Sequence, residues 1–194
     1  RAYLDFRGIA RYSAPSLARE FENPLFLRTC CDFLVEQGKR ELPRGLEGVT
    51  QLFAFYMEAV SQKVEHALDL DPLQEIPRKA LIDFTKTCAE RLAGSISKFE
   101  AQKLFERHLQ SSGMRRRSLL TALLDDGVLT MDVVPMSGGE PQETIRFTFE
   151  RFSDHLIAKR LLDEHLDRAD PVRSFQRDPL RRYVASYHTW EHAR

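Results

Sequence analysis

Apolar residues recur every three or four positions through the N-terminal part of the chain, a spacing that predicts helices there. Residues 1–10, RAYLDFRGIA, form a short amphipathic stretch with Tyr3, Phe6 and Ile9 at a spacing of three. A break follows between Ser13 and Ser16, around Pro15. In FENPLFLRTCCDFLVEQG, Asn23 is suited to cap a helix, and Pro24 to its first position, where no N–H is required. Leu27, Cys30, Cys31 and Leu34 then share a face, and Gly38 marks the stop. Residues 39–49 read as a loop carrying Pro43, Gly45 and Gly48. The next helix, TQLFAFYMEAVSQKVEHAL, has a stripe of Leu52, Tyr56, Val60, Val64 and Leu68. Asp71-Pro72 and Ile76-Pro77 interrupt the pattern, and a boundary is expected near residue 72.

Beyond that point the period changes. A helix is predicted over 78–92, with Leu81, Phe84, Cys88 and Leu92 on one face. Ser97 and Glu100 are spaced as a capping box, opening a second helix through Leu109. A third helix covers 115–124 and stops at Asp125-Asp126-Gly127. VLTMDVV reads as a strand and PMSGGEPQE as a hairpin loop. TIRFTF is the returning strand, in which Ile145, Phe147 and Phe149 alternate with polar residues. ERFSDHLIAKRLLDEHL is a fourth helix. Three helices and then a two-stranded wing is the order of a winged helix-turn-helix. The expected fold is mainly α: a helical region over 1–71, a winged-helix domain with one two-stranded β wing over 72–168, and the start of a further helical region over 169–194.

Composition narrows the function. The 194 residues are 42% hydrophobic and 30% charged, enough apolar surface for a folded core. Lys plus Arg and Asp plus Glu are 29 each, so the net charge is zero, whereas duplex-binding domains carry a basic excess. No apolar run approaches the roughly 20 residues that span a bilayer. Cys30, Cys31 and Cys88 form no CxxC pair and fit buried packing in a reducing, cytoplasmic setting. The chain starts at Arg1 rather than Met, and SYHTWEHAR reads as mid-helix, so both ends are expected to be cuts in a longer protein.

Catalytic patterns are missing. There is no GxxxxGK[ST] to cradle phosphates, and Gly138-Gly139 sits in the wing without a following Lys-Ser. His188 and His192 share a helical face, but no third ligand accompanies them, and a solvated surface is the preferred reading. Asp125 and Asp126 read as a helix stop rather than paired acids. Arg115, Arg116 and Arg117 open the third helix, where a DNA-binding winged helix meets the major groove. Cations there oppose the helix dipole, which hints at a partner; an acidic neighbouring domain or solvent serves as well as DNA.

Two segments in order, FENPLFLRTCCDFLVEQG with GVTQLFAFYMEAV, and then IRFTFERFSDHLIAKRLL, resemble the region behind the nucleotide-binding core of NACHT-type STAND ATPases. The resemblance is nearest to bacterial antiviral members, in which an N-terminal effector, the ATPase and a C-terminal sensor array share one chain. It covers roughly residues 1–170. It implies that 1–71 is the helical lid and that Pro24, flanked by Asn23 and Leu25, packs near the adenine of ATP or ADP; simple helix capping explains the same residues equally well. The family motif at the end of the winged helix falls on Phe147, Phe149, Phe152, Asp154 and Ala158. Its phosphate-contacting histidine falls on Phe149, which cannot donate a hydrogen bond, and leaves Arg151 or His155 as substitutes. Phe147 and Phe152 themselves read as core.

The resemblance implies a conformational switch in a cytoplasmic ATPase that uses Mg2+, senses a phage protein, oligomerises with its own copies, and drives antiviral defence through an effector such as a nuclease. The partners would be the upstream nucleotide-binding core and the downstream sensor array, with no membrane and no DNA for this segment. The fragment alone would not hydrolyse ATP. A DNA-binding winged-helix regulator is the alternative, and a protein-binding helical scaffold is a third reading.

Overall fold

The structure is a computed structural model that describes residues 2–10, 19–41, 49–110, 118–135 and 140–191. It is mainly helical, with a three-stranded antiparallel sheet. The described helices are α1 (Ala2–Phe6), α2 (Pro24–Glu36), α3 (Val49–Leu68), α4 (Ile76–Arg91), α5 (Lys98–Gln110), α6 (Leu119–Asp125), α7 (Glu150–His165), α8 (Pro171–Phe175) and α9 (Leu180–Glu191); the strands are β1 (Ser95–Ser97), β2 (Leu129–Val134) and β3 (Gln142–Phe147). The chain groups into two compact units, Arg1–Lys79 with Phe105–Val128, and Ala80–Leu104 with Leu129–Arg194.

In the first unit, α2 and α3 pack around an aromatic cluster. Phe26 stacks on Tyr56 at 4.5 Å between ring centroids and meets Phe21 and Phe53 edge-on at 5.6 and 6.2 Å. Cys30, Cys31 and Leu34 are buried as the spacing predicts, and Leu27 is half-buried. Of the stripe on α3, Leu52, Tyr56, Val60 and Val64 are buried. Leu68 is only half-buried, because the chain leaves the helix at once through Asp69 in a left-handed conformation, φ 53°. The α1 face differs from expectation: Phe6 is 82% exposed, while Leu4 and Ile9 are buried. Five residues are too few to carry a stripe. The chain instead turns at Gly8, φ 64°, so that Ile9 N donates to the Leu4 carbonyl at 3.0 Å and the two apolar side chains close the turn.

Helix α6 belongs to this unit and packs on α3. Ser118 caps it, Leu119, Leu120 and Leu123 are buried, and Gly127 at φ 71° ends it. It is shorter than the predicted 115–124 helix at its start; residues 111–117, and with them Arg115, Arg116 and Arg117, lie outside the described residues. So do the break at Ser13–Ser16, the loop residues 42–48 with Pro43, Gly45 and Gly48, and Gly138 and Gly139.

In the second unit the β2–β3 hairpin pairs Leu129 with Phe147 through Val134 with Gln142. The hairpin expected from alternation is therefore present, and β1 adds a third strand on the other side of β3, pairing Ile96 with Ile145. Three residues, Ser-Ile-Ser, carry too little alternation to announce a strand, and Ser97 had a second use. Its Oγ accepts from Glu100 N at 3.3 Å and donates to the Glu100 carboxylate at 3.0 Å, which is the expected capping box. Leu81, Phe84 and Cys88 are buried, but Leu92 is not on their helical face: it stands past the helix end at φ 51° and is half-buried. Phe147 sits at the centre of the core, edge-on to Phe84 and to Phe152 at 5.3 Å each. The order helix, strand, helix, helix, strand, strand from α4 to β3 is that of a winged helix. The two prolines read as interruptions act as starters: Pro72 opens a short 3-10 turn capped by Asp71, and Pro77 lies in the first turn of α4.

Candidate functional site

The start of α2 is fixed from three directions. Asn23 is extended, φ −76° and ψ 117°, and its side chain accepts from Leu25 N at 3.0 Å and Phe26 N at 3.2 Å. Phe26 locks the first turn into the aromatic cluster on α3. Leu25, half-buried, lies against the turn that ends α6: a Cβ placed on Gly127 would be 3.0 Å from Leu25 Cδ2. The same turn is tied to α3, since Lys63 Nζ pairs with Asp126 Oδ1 at 2.5 Å. Pro24 is left exposed at the first helical position. The outcome is a rigid apolar ring presented to solvent by a braced helix start.

Arg151 and His155 lie in the second unit, one turn apart on α7. Arg151 is exposed and His155 half-buried. Burial, and then the Lys159 ammonium, hold the His155 imidazole below its ordinary pKa, so it is mostly neutral at neutral pH and attracts anions less than a cation would. Phe149 occupies the cap position of α7 and supplies no side-chain cap hydrogen bond. Two hydroxyls not singled out from sequence flank it: Thr148 Oγ1 and Ser153 Oγ are buried with no hydrogen-bond partner among the described residues. Nothing in the local sequence marks them, because their lack of a partner depends on how α7 packs.

Elsewhere the chemistry is quiet. Cys30, Cys31 and Cys88 are free and buried. Burial raises all three thiols, Cys31 to about 11 and Cys88 to about 12, which makes them packing groups rather than nucleophiles. Among the described residues no group of three His, Cys, Asp or Glu side chains could hold a metal ion, and no helix is long and apolar enough to cross a membrane. His188 falls within α9, but its side chain and all of His192 lie outside the described residues.

No protein-family model, curated protein or solved structure matches this chain.

Proposed function

We propose that this chain is the lid and winged-helix switch of a STAND-type ATPase. The lid closes over ATP or ADP held with Mg2+ by a nucleotide-binding core elsewhere in the same protein, and Pro24 packs against the base. What carries the reading is the braced, exposed proline at the head of α2, together with the order of the two family-like segments. The helix start is held by its cap, by Phe26 and by the α6 turn, so its ring can meet a planar group without reorganisation. Such a switch needs nucleotide and trigger to bind two arrangements with different affinity. The trigger would be a phage protein, and the outcome oligomerisation and antiviral defence in the cytoplasm.

The zero net charge weighs against DNA as the target, because a duplex-binding domain carries a basic excess. The test is nucleotide binding by the intact protein with and without the Pro24 ring. In addition, the chain by itself should show no ATP turnover with Mg2+ above background. Robust turnover, or tight duplex binding at physiological salt, would overturn the assignment.

A further inference from the structure

Charge is unevenly spread along the second unit. Residues 167–184 hold five arginines (Arg168, Arg173, Arg177, Arg181 and Arg182), three aspartates (Asp167, Asp170 and Asp178) and no lysine, in a chain whose net charge is zero. The aspartates are used locally. Asp167 Oδ1 accepts from Ala169 N at 2.9 Å, Asp170 Oδ1 accepts from Arg173 N at 3.1 Å, and Asp178 pairs with Arg181 at 3.3 Å. Arg168, Arg173, Arg177 and Arg182 are exposed and have no ion-pair partner among the described residues.

The backbone fixes where these cations stand. Helix α8 buries only Ser174, whose Oγ accepts from Asp167 N at 2.9 Å and donates to the Asp170 carbonyl at 3.1 Å. Arg177 N donates to the Ser174 carbonyl at 3.2 Å, and the Arg177 carbonyl accepts from Arg181 N at 2.9 Å, so α8 passes into α9 through hydrogen-bonded turns. Successive helical residues are rotated by about 100°, so an inward Ser174 leaves Val172 and Phe175, three apart, toward the outside. They are 69% and 42% exposed. Two apolar side chains thus stand among arginines that nothing neutralises.

We propose that α8, with the first turn of α9, docks an acidic protein segment that carries an apolar side chain. Its carboxylates meet the guanidinium groups of Arg168, Arg173, Arg177 and Arg182, and its apolar side chain covers Val172 and Phe175. Charge complementarity selects the sign of the partner. The use of arginine alone selects its kind. A guanidinium pairs a carboxylate through two parallel N–H donors, and protein interfaces are enriched in Arg and aromatic residues and depleted in Lys. A nucleic acid or a lipid surface is a dense array of phosphates; it attracts Lys equally, and Asp167, Asp170 and Asp178 among the arginines repel it. A protein segment places its carboxylates singly and keeps them clear of those aspartates. The turns already fix the α8 backbone, so docking needs little reorganisation. This surface holds or fails independently of any nucleotide.

The test is titration of the whole chain with fluorescein-labelled poly(Glu,Tyr), an acidic copolymer with an aromatic side chain, beside poly-Glu, an oligothymidylate and phosphatidylserine vesicles. The copolymer should bind most tightly. Arg173→Glu with Arg177→Glu should weaken it about tenfold or more, whereas Lys39→Glu with Lys103→Glu, the same charge change at exposed lysines elsewhere, should weaken it less than about twofold. Val172→Ser with Phe175→Ser should reduce the preference for the copolymer over poly-Glu by about fivefold. All of these positions are exposed, so circular dichroism should be unaltered. Equal losses from the two charge-reversed pairs, an unchanged preference after the Val172 and Phe175 substitutions, or tighter binding of the oligonucleotide or the vesicles would overturn the proposal.

Discussion

The starts of α2 and α7 look alike in sequence, each an aromatic-rich segment running into a helix, yet they are built differently. The head of α2 is fixed by local chemistry: an asparagine cap, a proline at the first position, and two backbone N–H groups held by one side chain. Tertiary contacts then brace it. The head of α7 has no side-chain cap at Phe149 and leaves two hydroxyls buried without partners among the described residues. It is held by the core, through Phe152 packed edge-on to Phe147. A helix start fixed locally can expose a rigid group. One held from beneath by its core leaves buried polar groups without local partners.

The largest effect that would break this comparison is at the core under α7. Phe152→Ala should cost about 3–5 kcal/mol in denaturant unfolding, because it removes a fully buried ring from its edge-on contact with Phe147. A cost near that of a surface change would mean that α7 is held some other way. Next is Gly127→Ala. The residue is at φ 71° and the new methyl would press on Leu25, so about 1–2 kcal/mol should be lost and the head of α2 displaced. Asn23→Ala should cost about 1 kcal/mol, for one cap that serves two N–H groups. His155 is held below its ordinary 6.5, so its contribution to stability is present above that pH and lost as pH falls through it. Replacing His155 with Gln should therefore flatten the acid side of a melting-temperature profile, by less than the preceding substitutions cost.

How much of this could be read from the chain depends on whether the cause was local. The Asn23 cap, the Ser97–Glu100 box, the stop at Gly127 and the β2–β3 alternation all lie within a few residues of their effects, and all are present. Strand β1 was hidden because its partner, Thr144 to Arg146 in β3, is distant in sequence and its own three residues carry almost no pattern. Leu92 continues the α4 periodicity but falls past the turn that ends it, and periodicity cannot see a left-handed residue. Glu65 follows Val64 of the apolar stripe on α3, yet it is 5% exposed, a burial that the stripe alone does not announce. Of the candidate site, Asn23 and Pro24 stood out locally. The unpartnered state of Thr148 and Ser153 depends on packing and was not legible.

The smallest structural change gives the most direct test of the nucleotide-facing role. Pro24→Ala removes an exposed ring at a position that needs no N–H, so stability should change by less than about 0.5 kcal/mol and helix content by circular dichroism should be unaltered. In the intact protein, ATP or ADP affinity should nevertheless fall by about fivefold, corresponding to about 1 kcal/mol of lost apolar contact. Unchanged affinity with an unaltered fold would leave Pro24 as a helix-starting residue and contradict the account of α2 as a nucleotide lid.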